Sequence, residues 1–237
     1  MVVPKPNVQQ ASEMMFKSLS RSRLQGSLPN SISPQDNTPA LLDGFQRNET
    51  AIGAFSNARA VWPNPMDMLK HLANEVIQCA KARDLMVCTA ESCSAGKLAM
   101  VLSKAEGASK YFLGGMVAYT KEMKTRLLSV PSDLIQRDTA VSAEVAEAMA
   151  QGAIRRFNAD LGVSITGVAG PEPDEDGNPV GLVYCAVARS ETTQFVELRC
   201  KSAKPDEIID EACAEALKLL RLFCLRAIRT DFESCGG

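Results

Sequence analysis

Histidine is almost missing from this chain: its 237 residues contain one, His71. A Ser-His-Asp or Cys-His enzyme, or a His-rich zinc site, would have to be built on that residue. His71 falls in "MDMLKHLANEVIQCAKAR", where Leu69, Leu72, Ala73, Val76, Ile77 and Ala80 form a helical stripe, so it reads as a solvated helix residue. No excess of basic residues is present either. Lys and Arg number 26 against 28 Asp and Glu, which gives no electrostatic reason to expect nucleic acid. No stretch approaches the roughly 20 apolar residues of a membrane span, so no membrane partner is expected. There is no CxxC pair among the eight cysteines. Cys79, Cys88, Cys213 and Cys224 sit inside apolar patterns, as thiols used as small hydrophobes do, and point to a reduced, cytoplasmic protein.

With 46% hydrophobic and 23% charged residues, the chain has ample material for a core. Residues 1–62 are rich in Ser, Asn, Gln and Pro and read as a disordered, low-complexity tail. Within it, "MMFKSLSRSRLQGS" faintly echoes a transit peptide, and Asn48-Glu49-Thr50 matches a glycosylation sequon by accident of composition. Residues 231–237 are expected to be a second disordered end. Between them the pattern becomes orderly. A helix leads to an apolar strand at 85–90; helical spacing returns at 95–104; a second strand is expected at 114–120 and a short helix at 121–129. Ser142 is placed to cap a helix that begins at residue 143. A strand at 160–167, a Gly/Pro/Asp loop, strands at 181–189 and 193–200, and a C-terminal amphipathic helix complete the order. The last two strands are too close for a crossover and should form an antiparallel hairpin. The expectation over residues 63–230 is a three-layer α/β/α sandwich with a mixed sheet of about five strands.

In such sheets ligands gather where strands end and helices begin. Three segments fall at such ends: "TAESCSAGK" (89–97), "EGASKYFLGGMVAYTKEMK" (106–124) and "TGVAGPEPDEDGNPVG" (166–181). Each alone is a weak signal. Together, and with "AVSAEVAEAMAQGA" and "NPVGLVY", they closely resemble the CinA C-terminal domain family over about residues 66–228.

The resemblance implies a good deal about chemistry. Members include nicotinamide mononucleotide (NMN) deamidases, serine amidohydrolases with a lysine base and no metal or cofactor, which agrees with the missing histidines. Ser109 matches the family's expected nucleophile in "GASKYF", and Tyr119 and Lys124 match its Tyr-x-x-x-x-Lys stretch. Ser92 matches a supporting serine. A serine hydroxyl needs a neighbour to remove its proton, and a lysine can do so only if its pKa is lowered. Tyr119 or Ser92 would relay that proton. Glu91 either binds ribose hydroxyls or caps backbone amides, and amides near Ser92–Gly96 or Thr166–Gly167 would hold the oxyanion. Cys93 is the rival nucleophile, though a thiolate needs an activating partner and a small buried cysteine is the simpler reading. Lys121 is expected to be solvated.

Three departures bear on substrate. Ala95 stands where the family carries glycine; "PEPDEDGN" puts Glu172, Asp174, Glu175 and Asp176 in the long loop; and Lys204 replaces a phosphate-binding arginine, without the bidentate fork. The expected function is amide hydrolysis of the NMN deamidase kind on a pyridine mononucleotide, by a homo-oligomer. The alternatives are a non-catalytic nucleotide-binding or interaction module, or an amidase for another small amide.

Overall fold

A computed structural model describes residues 64–226, so the expectations for residues 1–62 and 231–237 lie outside the described residues. The elements in chain order are α1 (Pro65–Arg83), β1 (Val87–Glu91), α2 (Lys97–Ser103), α3 (Ala108–Tyr111), β2 (Phe112–Val117), α4 (Lys121–Leu128), α5 (Ser132–Asp138), α6 (Ala143–Phe157), β3 (Leu161–Gly167), β4 (Leu182–Arg189), β5 (Thr192–Arg199) and α7 (Pro205–Arg226). Asn64 opens α1 by accepting from the Asp67 amide, with Pro65 at the first helical position, where its missing N–H costs nothing. Ser142 caps α6 as its sequence position requires, accepting from the Val145 amide at 3.3 Å.

The five strands form one mixed sheet in the order β2-β1-β3-β4-β5. β1 lies parallel to both β2 and β3, and β3, β4 and β5 are antiparallel neighbours. The β4–β5 hairpin turns over Ser190 and Glu191 alone, with Ser190 at φ +51°. Alternation along the strands sorts the two faces. Leu161, Val163 and Ile165 of β3 join the helical layer of α1, α2 and α7, while Cys88 and Ala90 of β1 face Val145, Met149 and Ala153 of α6. The three-layer α/β/α fold and the mixed five-strand sheet are therefore present.

On the α6 face β3 carries small or polar residues. Ser164 Oγ donates to the Ala146 carbonyl at 2.6 Å and Thr166 Oγ1 to that of Ala140 at 2.7 Å, which satisfies both buried hydroxyls. Against the same helix, a Cβ on Gly152 would run into the Leu128 carbonyl. Glycine lets the end of α4 lie on α6, and that contact sets the depth of α4.

Three features differ from the sequence expectation: the bounds of β2 and the two short helices α3 and α5. β2 runs from 112 to 117 rather than 114 to 120: α3 runs into it without a loop, and its ladder with β1 closes on the Ala118 amide, which donates to Glu91 O at 2.8 Å. Helix α5 was not anticipated at all: a seven-residue turn behind Pro131 shows little periodicity.

Candidate functional site

β1, β2 and β3 point the same way, so their C-terminal ends meet at one rim of the sheet. A cavity of about 620 Å³ opens there, lined by Ser92 and Cys93 after β1, by 119–122 and Lys124 after β2, by Ala140 and Val141, and by 166–170, Glu172, Asp174 and Glu175 at the end of β3 and in the loop beyond it. That volume suits a small-molecule ligand.

Lys124 lies at its base and is 2% exposed. It sits one turn before Leu128 on the inner face of α4, whose start is capped by Thr120 accepting from Met123 N at 3.2 Å. The ammonium has three acceptors: Ser92 Oγ at 2.7 Å, Ala118 O at 3.3 Å and Tyr119 O at 3.4 Å. No carboxylate is among these three. Burial pushes its pKa down from 10.5 to about 8, because losing water disfavours the charged form. Ser92 is 6% exposed, and its Oγ also donates to Tyr119 O at 3.3 Å. Its backbone amide is anchored on Ile165 O at 2.9 Å, tying it to β3.

The remaining sequence candidates separate cleanly. Ser109 stands exposed on α3 and does not line the cavity; the hydroxyl within reach of Lys124 is that of Ser92. Tyr119 lines the rim, is 66% exposed, and supplies the base of the site with a backbone carbonyl. Thr166 and Gly167 line the cavity, although Thr166 spends its hydroxyl on Ala140. Lys204 pairs with Glu207 at 2.8 Å on an exposed surface and is not part of the lining.

Glu91 takes the capping role rather than the ribose role. Fully buried, its carboxyl accepts from Thr89 Oγ1, Ser94 Oγ and the amides of Gly96, Leu98 and Ala99, all between 2.8 and 3.2 Å. It ties down the start of α2, as a carboxylate at a helix N-terminus does. Gly96 thus serves Glu91, while Ala95 N goes to Ser92 O and Lys97 N to Ser94 O. The amides of this loop are therefore largely committed within the protein, and so is that of Val168 across the cavity, which donates to Leu182 O at 2.9 Å. Cys93 lines the cavity beside Ser92, but burial pushes its thiol up to about 12, which disfavours the nucleophilic thiolate.

Ala95 is exposed, outside the lining, and at φ +51° in the left-handed region. Its cost is therefore backbone strain, not a blocked approach to substrate. Ala95→Gly is expected to raise stability by about 0.5–1 kcal/mol in denaturant titration, the relief of left-handed strain less the added chain entropy, with turnover unchanged.

Sequence reasoning missed one arrangement. Lys121, expected to be solvated, bonds Asp176 at 2.7 Å and Glu175 at 2.8 Å, strapping the long loop to α4 across 55 residues of sequence. Opposite charges at a helix start and in a distant loop were the only signal, and without spacing such a signal does not specify a pair.

The class these observations define is a three-layer α/β domain with a buried serine–lysine pair in a cavity at its strand ends. Comparison with known proteins narrows it: the model of the CinA C-terminal domain matches residues 69–224, and the chain belongs to that family. A CinA-like protein of a Synechococcus species is 44% identical over 152 residues, covering 64% of this chain and 36% of its own length. Protein YdeJ of Escherichia coli is 43% identical over 120 residues, covering 51% of this chain and 70% of its own. The chain spans little more than a third of the first of these relatives. Among solved structures, a CinA superfamily protein of E. coli superposes with TM-score 0.63 at 35% identity, covering 70% of this chain and 94% of its own. A competence/damage inducible protein from Agrobacterium tumefaciens gives 0.63 at 33% identity, covering 70% and 99%.

Proposed function

We propose that this domain hydrolyses a small carboxamide, of the pyridinium carboxamide kind that the family resemblance names, to the carboxylate and ammonia, with Ser92 as nucleophile and Lys124 as base. The observation that carries the reading is the 2.7 Å contact between a cavity-lining serine and a buried lysine. The same three contacts serve both charge states. As an ammonium, Lys124 donates to all three acceptors; as an amine, it keeps two protons on the Ala118 and Tyr119 carbonyls and turns its lone pair to the Ser92 hydroxyl.

In the forward reaction neutral Lys124 takes the proton of Ser92 Oγ as that oxygen attacks the carboxamide carbon. The resulting ammonium returns the proton to the departing nitrogen, which leaves as ammonia. Water, deprotonated by the same amine, then attacks the acyl-Ser92 ester; the ammonium returns its proton to Ser92 Oγ as the C–O bond breaks, and the freed carboxylic acid ionises. Ser109, exposed and outside the cavity, has no step in this scheme.

Ammonia release from pyridinium carboxamides by the purified protein is the direct assay. Because the amine is the working form, kcat/KM should rise about tenfold per pH unit below 8 and level off above it, Lys124 being mostly protonated at pH 7. A rate flat between pH 6 and 9, or no ammonia at all, would sink the proposal.

A further inference from the structure

The charges around the cavity narrow the substrate further, on the premise that Ser92 and Lys124 act as proposed. Two lysines, Lys121 and Lys124, face four acids, Glu122, Glu172, Asp174 and Glu175. Neither lysine is available to an anion at the rim. Lys124 lies at the base, wrapped by its three acceptors. Lys121 is held between Glu175 and Asp176, and an incoming phosphate would have to strip it from both. Arg126, one turn further along α4, pairs with Glu122 at 3.1 Å, and Lys204 is outside the lining.

Three of the four acids are held by partners: Glu122 by Arg126, Glu175 by Lys121, and Asp174 by its own loop. Asp174 accepts from the amides of Asp176 and Asn178 and from Asn178 Nδ2, at 2.8 to 3.1 Å, knotting the loop. Thr139 accepts from the same Asn178 side chain at 3.2 Å, tying the knot to the chain before α6. Glu172 then stands exposed at the cavity, and among the described residues it makes no ion pair.

We infer that the cavity selects carboxamides that carry a positive charge and no phosphate, with Glu172 as the principal specificity-determining residue. A phosphate monoester carries about −1.5 to −2 charge near neutrality and would enter a rim of its own sign. A pyridinium ring without phosphate meets the opposite sign, and the field of the clustered carboxylates draws it in.

The test compares three probes on the full chain: nicotinamide riboside, cationic and unphosphorylated; its phosphorylated form NMN; and uncharged nicotinamide. The riboside should have the highest kcat/KM, at least about tenfold above NMN, with the gap narrowing as salt is raised. Glu172→Gln should narrow it about threefold at fixed salt. Binding of riboside and NMN to Ser92→Ala by calorimetry reads the same preference without turnover. A preference for NMN by either measure overturns the charge inference while leaving the Ser92/Lys124 chemistry standing. Nicotinamide cleaved as well as the riboside also overturns it. If no probe is turned over, the chemistry fails and the binding comparison alone decides the charge question; binding of neither ligand counts against it.

Discussion

Ser92→Ala is expected to reduce turnover by about 10⁴-fold or more, and Ser109→Ala to leave it within about twofold. The contrast follows from geometry. Ser92 Oγ lies 2.7 Å from the Lys124 amine and lines the cavity, whereas Ser109 is exposed on a four-residue helix outside it. Alanine at 92 removes the attacking atom but keeps the backbone anchor to Ile165 O, so the variant should fold with an unchanged circular dichroism spectrum. Steady-state ammonia release with both variants decides the matter. Loss of activity in Ser109→Ala with retention in Ser92→Ala would move the nucleophile to Ser109.

Lys124→Met is expected to abolish activity and, at pH 7, to make the protein more stable. A lysine whose pKa falls from 10.5 unfolded to about 8 folded binds its proton less tightly in the native state. The unfolded chain therefore holds more protons between those values, and stability rises with pH across that window. Below pH 8 the full cost is present, about 3 kcal/mol from a shift of this size. Methionine fills the same space without a charge to desolvate, though it leaves the Ala118 and Tyr119 carbonyls without that partner. The net gain should be about 1–3 kcal/mol at pH 7 and shrink as pH approaches 10.5. Melting curves of both proteins between pH 6.5 and 10 test this. A variant less stable than the parent at every pH would show that the lysine supports the fold rather than being tolerated by it.

The sheet and its layers were legible in the sequence because they depend on periodicity, which is local. Runs such as 85–90 and 160–167 read as strands and are Val87–Glu91 and Leu161–Gly167 in the fold, and the few residues between 189 and 193 left no room for a crossover. What stayed hidden are α5 and α3, the latter begun by a left-handed Gly107 (φ +84°) as one helical turn that ends in a strand. The site was legible one residue at a time. Lys124 and Ser92 stood out by resemblance, but 32 residues separate them, and no pattern in a linear string says which of two serines a lysine reaches. Glu91 looked open to either of two roles because the number of donors around it depends on how the chain folds back at Ser94–Ala99.

That acid has a consequence for how variation in this loop should be interpreted. Five donors converge on one buried side chain, so the shape of the turn is imposed from within, and the residues on its outer surface are spectators of that shape. Such a turn can drift in sequence without moving the serine beside it. A change on its outside, as at Ala95, records history more than it records a new substrate. Divergence in what these domains act on is better sought across the cavity, in the loop that carries Glu172.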